Sequence, residues 1–171
     1  MRFASLRRLS LALVIMVASP VAVAAAIPAS SLNSAYMQQC SAIVHHRWND
    51  FNRSLAPSYV GKNLGGPSDS YSSEAKSISQ MAEAIGLKAC AVKIVSIKAD
   101  KDIVTADISF NLDGVAPKTT RKVKRGDRLE FDFHSVDTWQ LRDGEYEQLA
   151  AVTQGITVRR NGNTLIKRSS Q

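Results

Sequence analysis

Residues 128–151, RLEFDFHSVDTWQLRDGEYEQLAA, alternate apolar and polar side chains on both sides of Asp143-Gly144. A period of two places Leu129, Phe131, Phe133, Asp137 and Trp139 on one face of a strand. Asp-Gly readily takes the positive φ that a tight hairpin turn requires. The segment is predicted as one long β-hairpin, and a hairpin with an apolar face is stable only when the rest of the chain covers that face. That requirement organises the rest of the sequence.

Two upstream segments have the helical period needed for the cover. From Asn33 to Leu55, the residues Tyr36, Cys40, Ile43, Val44, Trp48, Phe51 and Leu55 recur at steps of three and four, predicting one helix that Pro57 stops. From Ser73 to Ile85, Ile78, Met81, Ala82 and Ile85 share a face, and Gly86 is placed to end the helix. Between them, Ser58 to Ser72 opens with Tyr59-Val60, a candidate brief strand, and is otherwise rich in Gly, Ser, Asp and Pro, as exposed loops are. After Gly86 the period changes to two. Ala89 to Lys98 is a β-rich run and Asp100-Lys101 turns it. Ile103 to Leu112 then places Val104, Ala106, Ile108, Phe110 and Leu112 inward, with Thr105, Asp107, Ser109 and Asn111 outward. Beyond the hairpin, Val152 to Arg160 continues to a second turn signal, Asn161-Gly162. Helices followed by a meandering antiparallel sheet make an α+β fold. A curved sheet around a helix leaves a funnel-shaped hollow, the default place for a ligand.

The start of the chain has a different character. Arg2, Arg7 and Arg8 precede an apolar run from Leu9 to Val17, and Pro20 and the small residues Val21 to Ala26 follow. These are the parts of a secretory signal peptide, and its apolar run is shorter than a membrane span. Cleavage is expected after Ala24 or Ala26, and the alternative is an uncleaved anchor. Removing residues 1–26 lowers the formal charge from +7 to +4. The expected organisation is a signal peptide over 1–26, a linker over 27–32, one domain over 33–162 and a tail over 163–171. Periplasmic or secreted localisation, after cleavage, is expected. In an oxidising compartment Cys40 and Cys90, the two cysteines of the chain, form either one bridge or two buried free thiols. A bridge would stabilise the fold by about 4 kcal/mol through loop-closure entropy.

The order of elements and the run Val136-Asp137-Thr138-Trp139-Gln140-Leu141-Arg142-Asp143-Gly144-Glu145-Tyr146 resemble the nuclear transport factor 2-like superfamily, particularly its SnoaL-like branch of small secreted bacterial proteins. The resemblance implies a cone-shaped, cystatin-like fold over about 33–162. Enzymes of that superfamily use an ionisable side chain in the cone as a general base, and other members are noncatalytic or assemble as oligomers.

The chemistry-bearing residues admit two readings each. Tyr36, Trp48, Tyr59 and Trp139 are candidate wall residues for ligand binding, and the stripe Tyr36, Trp48, Phe51 with Met81 is either pocket lining or core. Asp137 is either a buried base or a carboxylate tied into the strand. His134, the other candidate base, has the opposite parity from Asp137 and Trp139 unless a bulge intervenes. His45 and His46 point about 100° apart on a helix and no His or Cys lies four residues from either, so no metal is expected, and no cofactor is expected either. Lys118 to Arg128, KTTRKVKRGDR, carries six basic residues and one acid. It is either a solvated arm or a dock for an anionic envelope surface, and it lacks the interleaved aromatics of a nucleic-acid site.

Three functional expectations follow. The first is an exported noncatalytic domain that binds a small apolar ligand or a protein partner through its cone or sheet face. The second is an isomerase- or lyase-type enzyme with Asp137 or His134 as base and Tyr36 or Tyr59 as donor to an oxyanion. The third is a homo-oligomerisation module, dimerising through the sheet.

Overall fold

The computed structural model describes residues 29–170; the expected signal peptide lies outside the described residues. The elements are α1 (Ala29–Val44), α2 (Trp48–Arg53), β1 (Leu55–Lys62), β2 (Ser68–Ser70), α3 (Tyr71–Ile85), β3 (Leu87–Asp100), β4 (Ile103–Val115), β5 (Arg128–Arg142), β6 (Glu145–Arg160) and β7 (Asn163–Ser169). They form one mixed sheet in the order β2-β1-β6-β5-β4-β3, with β7 also on β6. All pairings are antiparallel except β1 with β6. The result is the expected α+β fold, helices against one face of a curved, unclosed sheet.

The hairpin is β5–β6. Its turn has Asp143 at φ 52° and Gly144 at φ 86°, the pair of positive values that matches strand twist. Two residues of β6, Leu149 and Gln154, have no partner on β5. Both bulges lie on β6, so β5 keeps its alternation, and Ser135, Asp137 and Trp139 all face inward and are buried.

Four expectations change. The single helix 33–55 is two helices. His46 at φ 55° ends α1, with Arg47 N–H bonded to Ala42 O at 2.8 Å and His46 N–H to Ile43 O at 3.2 Å, a left-handed cap that satisfies the last carbonyls. Leu55 then belongs to β1. The linker 27–32 is helical from Ala29, because Leu32 packs beneath the sheet with Tyr36, Val104 and Trp139. The loop 58–72 contains the rest of β1, then β2 and the first turn of α3. Pro57 is tolerated there because it falls where the β1–β6 register shifts, between Leu55 and Val60. The tail 163–171 forms β7 over 163–169, whose exposed residues pair with β6 by backbone alone.

Cys40 of α1 and Cys90 of β3 are bridged, with Cα atoms 5.3 Å apart. The bond pins α1 to the edge strand and leaves no free thiol in the chain. No helix among the described residues is long and apolar enough to cross a membrane.

Candidate functional site

A cavity of about 310 Å³ lies between the helices and the concave face of the sheet. Its apolar wall is Ile43 of α1, Phe51 of α2, Ile78 and Met81 of α3, Ile108 and Phe110 of β4, Phe133 of β5 and Ala151 of β6. Asn63 and Pro67, in the turn between β1 and β2, stand at its exposed rim. Helical spacing on α1 and α3 and alternation on β4 and β5 bring these residues to one hollow.

Asp137 sits at its polar end, 3 % exposed. Ser135 Oγ donates to Oδ1 at 2.7 Å, and Tyr36 Oη and Gln148 Nε2 donate to Oδ2 at 3.0 Å each. Trp139 Nε1 donates to Tyr36 Oη at 2.9 Å, and Gln39 Nε2 donates to Gln148 Oε1 at 3.0 Å. The directions are forced. Indole N–H can only donate and an ionised carboxylate can only accept, so the tyrosine oxygen accepts from Trp139 and its one hydrogen goes to Asp137. Burial pushes Asp137 up to about 6, against the opposing pull of the Ser135 and Tyr36 hydrogen bonds.

A second acid faces the same space. Glu74 of α3 is pushed up to about 7 by burial and then by the Asp69 carboxylate, with the Tyr59 hydroxyl pulling the other way and Asp137 adding to the rise. A Cβ on Gly61 would stand 3.0 Å from both Glu74 Oε2 and Tyr59 Oη, so the absent side chain makes room for that pair. Asp69, on β2, accepts from Ser73 Oγ at 3.0 Å, Ser77 Oγ at 3.1 Å and Asn63 Nδ2 at 2.8 Å. Burial comes first in raising the Tyr36 and Tyr59 hydroxyls above their ordinary range, ahead of the carboxylates beside them.

Of the four candidate wall residues, Tyr36 and Tyr59 line the cavity. Trp139 lies behind Tyr36, fully buried, its ring edge-on at 4.9 Å between centroids. Trp48 does not line the cavity: the break at His46 reorients α2, and Trp48 packs on the core and against the His46 ring. His134 lies on the outer face of the sheet, as its parity dictates, with Nε2 2.7 Å from Asp107 Oδ1. It cannot act on anything in the cone. His45 and His46 are exposed at the end of α1. The segment 118–128 lies in the connection from β4 to β5 and ends on the first residue of β5. Its Arg128 is paired with Asp113 at 2.6 Å and Glu130 at 2.9 Å.

Sequence reasoning missed Glu74, Asp69, Gln39 and Gln148, and gave Ser135 no role although parity puts it on the face of Asp137. A signal for Glu74 existed: it stands four residues before Ile78, in register with the apolar stripe of α3.

No protein-family model matches the chain, and no curated protein matches it. Solved structures do. A nuclear transport factor 2-like protein from Cytophaga hutchinsonii is 14 % identical with TM-score 0.54, covering 72 % of this chain and 94 % of its own. A ketosteroid isomerase-like protein from Erwinia carotovora atroseptica is 11 % identical with TM-score 0.58, covering 80 % and 95 %. A protein of cystatin-like fold from Nostoc punctiforme is 8 % identical with TM-score 0.55, covering 72 % and 87 %. The chain therefore has the nuclear transport factor 2-like fold, the cystatin-like cone. A likeness at such identity is one of fold, and function must be argued from the site.

Proposed function

We propose that the chain is an exported binding domain that holds one small, largely apolar ligand in its cone. The cavity carries this reading. At about 310 Å³ it is about twice the volume that encloses a benzene molecule, at the lower end of ligand pockets. The polar network also supports binding. Asp137 already accepts three hydrogen bonds from protein donors, and the hydrogen of Tyr36 is committed to it. A general base that already accepts three of the roughly four hydrogen bonds open to a carboxylate, beside an oxyanion donor pointed at that base, is poorly arranged for turnover. Export is supported by the basic-apolar-small start of the sequence and by the Cys40–Cys90 bridge.

Thermal shift of the mature protein against neutral aromatic alcohols, terpene alcohols and steroids tests the reading. A ligand at a hundred times its Kd stabilises by about 2.7 kcal/mol, which for a domain of this size is a rise of roughly 5–10 °C. No rise with any of them would overturn the proposal.

Acid–base catalysis is the second reading, favoured by one observation: Glu74 faces the cavity beside Tyr59 with its carboxyl pushed up to about 7. A group poised there exchanges protons readily at neutral pH. Turnover of a bound compound that vanishes in Glu74→Gln while binding persists would establish it.

A further inference from the structure

The charges around the cone are all of one sign. Asp69 from β2, Glu74 from α3 and Asp137 from β5 line the cavity, and no Lys, Arg or His is among the described residues that line it. This runs against the whole chain, whose formal charge is +7. Two arginines of the sheet are held in ion pairs away from the cavity: Arg128 pairs with Asp113 and Glu130, and Arg159 with Asp132.

The acids inside have neutral partners. Asp137 is held by a serine, a tyrosine and a glutamine, Asp69 by two serines and an asparagine, and Glu74 faces the Tyr59 hydroxyl. Glu74 and Asp137 are desolvated by burial with no cation among the described residues lining the cavity, which disfavours their ionised forms, and Asp69 adds a third carboxyl to the same wall. A cation placed among them relieves both the desolvation and the mutual repulsion, and an anion adds to them.

We infer that the cone selects an amphiphile with a cationic amine head, seated among Glu74, Asp69 and Asp137, and a hydrocarbon body against Ile78, Phe110 and Phe133. This rests on the reading of the cone as a ligand pocket and names the class of ligand. The titratable groups that face the head are Tyr36 on α1, Tyr59 on β1, Asp69 on β2, Glu74 on α3 and Asp137 on β5. All five are neutral or negative across neutral pH. Because Glu74 and Asp137 hold their protons up to about 7 and about 6 in the empty protein, amine binding releases protons. It therefore strengthens as pH rises from 5 to 8, while the amine itself stays charged.

The test uses three probes on one skeleton: 4-phenylbutylamine, 4-phenylbutanol and 4-phenylbutanoate, titrated calorimetrically into the mature, oxidised protein. The amine is expected to bind about tenfold or more tighter than the alcohol at pH 8, and the carboxylate weakest of the three. Amine affinity is expected to fall about tenfold or more by pH 5, with the alcohol nearly constant. Glu74→Gln is expected to bring the amine's affinity down to that of the alcohol measured on the same variant; if that variant does not fold, Asp69→Asn is read in the same way. Equal binding of amine and alcohol, or an amine preference that survives the substitution, overturns the inference and leaves the pocket standing. Binding by none of the three overturns both.

Discussion

At Asp137, burial opposes hydrogen bonding, and burial is the larger effect. Three neutral donors favour the carboxylate, yet the group sits at about 6 in the folded chain against about 3.9 in an unfolded one. The sign of the linkage follows. Between those values the folded protein binds the proton more tightly, so the stability this group contributes is complete below about pH 4 and is lost as pH rises through 6. The difference is on the order of 3 kcal/mol. Glu74, raised to about 7, acts in the same direction over a slightly higher window. Other carboxylates oppose them; Asp127 is held below its usual range, first by the Lys124 backbone N–H. The informative quantity is therefore the difference between wild type and Asp137→Asn, measured by urea denaturation from pH 4 to pH 8. Wild type should lose stability relative to the variant as pH rises. Parallel pH curves would show that Asp137 is not raised. Asp137 itself was legible from parity on β5, because that strand has no bulge. The cavity residues of β6 were not: the bulge at Leu149 resets the alternation, so that Ala151 and Thr153 line the cavity with Gln148 although a simple count by twos separates them.

Among the elements, those with one apolar face and a clear period were readable, namely α3, β3, β4, β5 and β6. The misread ones owe their conformation to something that periodicity does not encode. The split between α1 and α2 depends on a left-handed residue at His46, a conformation that glycine or asparagine usually marks. β1 contains Pro57 and makes a parallel pairing at a register shift, and β7 contributes hydrogen bonds with little burial. The disulfide is the device that makes α1 part of the cone. It closes a separation of 50 residues between α1 and β3, and Tyr36 and Gln39 stand within one turn of Cys40, on the face that reaches Asp137 and Gln148. Replacing both cysteines by alanine should cost about 4 kcal/mol by loop-closure entropy, read as a lower urea midpoint at unchanged slope. A loss under about 1 kcal/mol would mean that packing alone holds the helix on the strand.

For the whole molecule, the two faces of the sheet divide the work. The outer face carries cross-strand polar pairs, Asn111 with Asp132 and Asp107 with His134 among them. The inner face meets α1 and α3, and where they diverge from the sheet the cavity remains. A hollow of this kind forgoes packing contacts that a filled core would have. Filling it from the protein side should therefore cost little stability while removing the ligand. Ala151 is the place to do so: it lines the cavity, lies directly opposite Asp137 on the neighbouring strand and is half-buried. Ala151→Trp in a close-packed core would cost about 1–3 kcal/mol in overpacking, whereas an indole here enters existing space. The expected result is a free protein that melts within a few degrees of wild type and shows no thermal shift with the neutral ligand that stabilises wild type most. A full shift in Ala151→Trp would place the ligand elsewhere on the molecule.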